Sequence, residues 1–168
     1  MTNLIDFYFS YGEAVASAIS SIAHGPGRRR FVKVTDLGSP QEFERAAQTE
    51  LPDTGYVLVW EMFTDAFDDA GADYHHSLLE GSFVVCRKTD KTPSDKLKAY
   101  AECRAICQQV LGKLMIDAIS GPLEAECIKV PMRNLAGEGT PALATHWYGW
   151  AYTFRWVVEE PLPLPVVD

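Results

Sequence analysis

No run of apolar residues in this chain is long enough to cross a bilayer, a span that needs about 20 of them. The first residues show no basic segment followed by a continuous apolar core, so no secretory signal is expected. Cysteine is scarce. Cys86, Cys103, Cys107 and Cys127 form no CxxC and no paired zinc spacing, which fits free thiols in a reduced, cytoplasmic setting. Positive charge is in deficit as well. The 168 residues carry a net charge of −8, whereas a general nucleic-acid binder needs a basic surface to displace counterions. There is no HExxH, no GxSxG elbow, no Walker ending to a glycine-rich loop and no EF-hand pattern. Internal repeats are also absent.

The chain does have clear periodicity. Residues 3–23 place Leu4, Tyr8, Tyr11, Val15, Ala18, Ile19 and Ile22 at helical spacing, with Asn3 as cap and Gly25-Pro26 as stop. Residues 30–36 alternate like a strand. Ser39-Pro40 opens a short helix. Residues 56–63 (YVLVWEMF) form a strand apolar on both faces, the mark of a strand covered on both sides. A partner strand follows at 82–88, and the two read as a hairpin extended into a mobile acidic tip near Asp68 and Asp73. Ser94 is the expected cap of the longest helix, over 95–119. Strands are expected at 124–130 and 146–159, separated by a glycine-rich loop at 133–141.

This order predicts an α+β fold: a two-layer sandwich with a mostly antiparallel sheet, an extended β-hairpin and helices packed on one side. Residues 1–160 are expected to form one domain. Residues 161–168 (PLPLPVVD) form an extended proline-rich tail, which could also serve an adaptor as a ligand for a partner.

Candidate sites were weighed against plainer readings. His75 and His76, near Asp68, Asp69 and Asp73, contain metal-ligand chemistry. Neighbours on an extended segment point to opposite faces, so an exposed polar tip is the better expectation, with no metal and no cofactor. Cys103 and Cys107 read as core filling. Arg28, Arg29 and Arg30 read either as a solvated turn or as a docking patch for an acidic partner. In HWYGWAYTFRW, residues 146–156, alternate positions put His146, Tyr148, Trp150, Tyr152, Phe154 and Trp156 on one face. That face has the area for the main wall of a core. The other face offers Trp147 and Arg155 as interface anchors.

The stretches YVLVWEMF, the acidic hairpin insertion, SFVVCRK, the helix SDKLKAYAECRAICQQVLGKLM and the strand WYGWAYTFRW resemble, in element order, the phage tail terminator and tail-completion proteins. These cap the tail tube at the neck of long-tailed phages and related prophages. The resemblance implies a structural virion protein, not an enzyme. It implies a homo-oligomeric ring, commonly a hexamer, at the head–tail junction, assembled in the host cytoplasm. Its neighbours would be tail-tube and neck or connector proteins, with no sequence-specific nucleic-acid binding and no membrane. Asp65, Asp68, Asp69 and Asp73 would then face a lumen or a ring face, since a DNA conduit should not hold phosphate tightly. Arg28, Arg29, Arg30, Trp147 and Arg155 would lie at subunit contacts. The competing reading is a small-molecule-binding protein or enzyme with a pocket between the sheet and the long helix, drawing on Glu61, His76, His146, Tyr148 and Trp150.

Overall fold

The computed structural model describes residues 3–36, 41–69 and 75–159. The fold is α+β, with one mixed seven-stranded sheet. In chain order the elements are α1 (Leu4–Ala18), β1 (Phe31–Val34), α2 (Gln41–Thr49), β2 (Val57–Glu61), β3 (Thr64–Asp69) and β4 (His75–Lys88). They continue with α3 (Pro93–Ser120), α4 (Pro122–Ala125), β5 (Ile128–Lys129), β6 (Gly137–Ala144) and β7 (Trp147–Glu159). Only β1 and β2 run parallel. The other pairings are antiparallel.

The two longest strands form the spine. β4 and β7 pair without a break from His76 opposite Glu159 to Lys88 opposite Trp147. Each then has two different strands on its outer side. β4 takes β3 along its first half and β2 along its second. β7 takes β6 along its first half and the two-residue β5 near its end. The strands expected to pair, 56–63 and 82–88, meet as β2 and the second half of β4, and the extension toward the tip is a separate strand, β3, against the first half of β4. The acidic tip lies partly outside the described residues, as do the Ser39-Pro40 helix start and the 161–168 tail.

The aromatic stretch builds the core. Phe154 and Trp156 are buried, and Trp150 and Tyr152 pack half-buried on the same side. Tyr8 of α1 is the hub opposite them. Its ring meets Trp60, Phe63 and Trp156 at 4.9–5.6 Å, mostly edge-on, the arrangement favoured by ring quadrupoles. Its hydroxyl donates to the Glu61 carbonyl at 2.6 Å, so the buried phenol is satisfied. From α3, Cys103, Ile106, Cys107, Val110 and Leu114 complete this layer.

The expectation that the helices gather on one side is corrected. α1 and α3 cover one face, but α2 lies on the other, where Phe43 and Ala46 pack on Val32, Val34, Val57, Val59, Val84, Cys86 and Trp147. The cause is the two-sided apolar pattern of β1 and β2. A strand buried on one face alone would leave those valines in water. Glu42 fixes the placement by accepting from the Thr35 hydroxyl at 2.7 Å, which ties α2 to the end of β1.

Boundaries moved for local reasons. α1 ends at Ala18 because Ile19 is extended (φ −86°, ψ 111°). The cap of α3 is Thr92, not Ser94: its side chain accepts from the Asp95 N–H, and Pro93, with no N–H to satisfy, opens the first turn. Residues 124–130 are mostly not strand. Pro122 starts a short helix there, and Cys127 takes a positive φ of 57° before β5. Much of the expected glycine-rich loop is strand β6. Pro141 sits beside the register shift between Thr140 and Ala144, which an edge strand tolerates.

Gly12 lets α1 lie close against the sheet. A Cβ there would lie 2.7–2.8 Å from two carbons of the fully buried Trp60 indole. Gly12→Ala should lower stability by about 1–3 kcal/mol through overpacking, despite the better helix propensity of alanine. Gly112→Ala, with open space around it on α3, should raise stability by up to about 1 kcal/mol. Urea unfolding of both variants checks this; equal effects would refute the packing argument.

Candidate interaction surfaces

The three adjacent arginines have three different fates. Arg28 is exposed at a tight turn closed by a bridge with Gly25. Arg29 forms an ion pair with Glu50. Arg30 is only 6% exposed, and its Nη2 donates to the Thr54 carbonyl at 2.9 Å. Burial lowers the Arg30 pKa, with the Arg28 charge adding to the effect. Its expected role at a subunit contact is corrected: the guanidinium is committed inside the fold.

Trp147 is corrected likewise. It is 2% exposed, and its ring packs edge-on to Phe43 at 5.7 Å beneath α2. Arg155 does face solvent, where it donates to the cross-strand Glu80 at 2.9 Å. Such an exposed pair contributes little to stability.

Asp65 is exposed on β3, opposite Leu79. Asp68 and Asp69 occupy the β3 positions opposite His76 and His75. Asp73 lies outside the described residues. Among the described residues no group of three or more His, Cys, Asp or Glu is placed to hold a metal. Nor is any helix there long and apolar enough to cross a membrane.

The residues of the pocket reading do not converge. Tyr148 pairs opposite Arg87 near the start of β7, whereas His76 pairs opposite Glu159 at its end, roughly 35 Å away at strand rise. Glu61 accepts from Ser82 between those ends. His146 sits in the β6–β7 turn at a φ of 72° instead of on the aromatic face. Side chains of α3 fill the space between that helix and the sheet.

No protein-family model matches the chain, and no curated protein does.

A first surface is an open cleft of about 610 Å³ between α1 and the segment entering β1. Asp6, Glu13 and Glu50 line it together with Arg28, Arg29 and Lys33. His24 and Glu13 meet across it at 3.0 Å. Two ion pairs, His24–Glu13 and Arg29–Glu50, join its walls.

A second surface is the pair of sheet flanks. Among the described residues, β1 and β3 pair on one side only, as do β5 and β6 on the opposite flank. The β3 flank carries acidic residues. The β6 flank is glycine-rich with a proline. Among the described residues the sheet is thus open at two chemically unlike edges.

A third surface is α3, which the sequence pattern alone did not reveal. Its buried face includes an ionic group: Asp117, 3% exposed, accepts from Tyr11 at 2.7 Å and from Lys113 at 2.6 Å, joining α3 to α1. The i,i+4 spacing of Lys113 and Asp117 was the available signal. Its outer face carries Leu97, Met115, Ile116 and Ile119 in solvent.

The cysteines carry no nucleophile on the inside. Burial pushes the Cys103 and Cys107 thiols up to about 12 and Cys86 well above its ordinary value, so all three are protonated at neutral pH. Only Cys127 is exposed. A maleimide at pH 7 should label one thiol per folded chain and four in urea, read by intact mass. Labelling of Cys103 or Cys107 in the folded protein would contradict this burial.

Proposed function

We propose that this chain is a non-catalytic structural subunit of a ring at the head–tail junction of a long-tailed phage or related prophage. In that role it acts as a tail terminator or tail-completion protein. The observation that supports the reading best is the sheet open at two unlike flanks. A ring forms by heterologous contact, in which one face of a subunit meets a different face of the next. A chain built for that purpose needs two dissimilar surfaces on opposite sides, and an exposed strand edge is a ready template for pairing.

The element order supports it too. One N-terminal helix, a long β-hairpin, a long helix laid on the sheet and a closing aromatic strand are the features on which the resemblance to that group rests. The acidic excess suits a conduit for DNA, because a wall of negative charge does not retain phosphate. The partners on this reading are other copies of the chain, the tail tube below and the connector above. The setting is the virion, after assembly in the host cytoplasm.

The test is solution mass by light scattering over a range of concentration and salt. The expected outcome is one discrete ring-sized oligomer, approached as concentration rises. A strict monomer at high protein concentration and low salt would overturn self-assembly.

A further inference from the structure

We propose that residues 161–168 of one copy add as a strand to the open edge of β1 in the next copy, along the cleft beside α1. The proposal rests on the ring reading above and names a contact that links its subunits.

After Glu159 the sequence runs EPLPLPVVD, in which Pro161, Pro163 and Pro165 alternate with Leu162, Leu164 and Val166. In an extended chain alternate residues turn their backbone groups to the same side. As a strand, this sequence would put every proline on one edge, without N–H donors, and Leu162, Leu164 and Val166 on the other. Such a strand pairs on one side only, and its proline side stops further strands from adding.

β1 supplies a matching edge. The carbonyls of Arg30 and Val34 face β2, where they accept from Leu58 and Met62 at 2.9 and 2.8 Å. Phe31 and Lys33 alternate with them, so their N–H and C=O groups face away from β2. Among the described residues β1 has no other strand neighbour. The next outward N–H, that of Thr35, already donates to Glu42. The open edge therefore offers the backbone groups of Phe31 and Lys33.

Antiparallel pairing brings the tail to the cleft. Opposed residues whose backbone groups face each other have side chains on the same sheet face. With Leu164 opposite Lys33 and Val166 opposite Phe31, both apolar side chains enter on the α1 face. The cleft of about 610 Å³ lies there, with Phe9 and Phe31 in its wall. In the same register Asp168 falls opposite Arg29 and beside exposed Arg28. The other open edges fit less well. β3 is acidic, as the tail is, β5 has two residues, and β6 carries Pro141 at a register shift.

Reach decides which copy donates. Lys33 aligns through Trp60 and Phe83 with Tyr152, three strand spacings or about 14 Å away. Glu159 lies about 23 Å further along β7 from Tyr152 at strand rise. The separation from Lys33 to Glu159 is thus about 27 Å, whereas the chain from Glu159 to Leu164 spans at most about 18 Å. Leu164 cannot reach the Lys33 of its own chain, so a neighbour receives it. Tail and edge are different surfaces, and a heterologous contact of this kind can close into a ring.

Two experiments on the full chain test the proposal, with circular dichroism and urea unfolding to establish that each variant folds as wild type. Leu164→Pro/Val166→Pro removes both pairing N–H groups and keeps the tail apolar. It should raise the concentration for half-assembly at least about tenfold, by light scattering. Pro163→Ala/Pro165→Ala alters only the outer edge and should assemble at least as well as wild type. In a Cys127→Ser background, chains carrying Lys33→Cys are then mixed with chains carrying Leu164→Cys and oxidised with diamide. The expected product is a disulfide-linked pair with one chain of each kind, read by non-reducing electrophoresis and intact mass. A chain carrying both substitutions that links only to itself would overturn exchange between copies. Rings that ignore Leu164→Pro/Val166→Pro, or that give no mixed cross-link, would overturn the tail seat and leave the ring reading standing. A monomeric wild type would overturn both.

Discussion

The unbroken antiparallel pairing of β4 with β7 is the constraint on which the rest of the structure depends. Side chains alternate with period two, so one register across this ladder decides the face of every residue on both strands. With Phe83 opposite Tyr152 and Leu79 opposite Trp156, the aromatic positions fall on the face of α1 and α3. A one-residue slip would turn Phe154 and Trp156 to the opposite face. Gly149 reflects the same pairing: a Cβ there would run into the Val85 carbonyl and Cys86, so the two backbones approach where no side chain fits.

The length of this ladder also shapes the surface. β4 and β7 are longer than any strand beside them, so each is flanked by two shorter strands. α1 and α3 cover one face of the sheet and α2 packs on the other, while β3 lies beside the first half of β4. The molecule has a well-packed body and open edges. A protein whose role lay in a pocket would need polar groups converging in a cavity, and the five residues considered for that role are spread along β7 and its neighbours.

Burial also sorts the polar groups. Arg30, Asp117 and Tyr8 are inside because each has its own partner there, which removes most of the cost of desolvation. Tyr8 and Tyr11 have their hydroxyl pKa values raised well above the ordinary range, first by burial and then by the nearby carboxylates Glu61 and Asp117. Both hydroxyls act as permanent donors.

The sequence by itself determined the α+β class, α1, the long helix, the hairpin and the aromatic core strand, because local periodicity and hydrophobic pattern report directly which face of an element is apolar. Even the cover over the second face was legible in YVLVWEMF, whose apolar residues occupy both faces. Tertiary structure alone decided the fate of individual polar residues. Arg28, Arg29 and Arg30 are indistinguishable as a run of letters, yet one is exposed, one paired and one buried, because Glu50 and the Thr54 carbonyl are brought to them by folding. Trp147 lies in the core because α2 crosses to the far face, a long-range choice that no local window contains. The placement of two α3 acids has the same origin: Arg87 arrives from β4 and holds Asp95 and Glu102, a contact set by folding rather than by helix sequence.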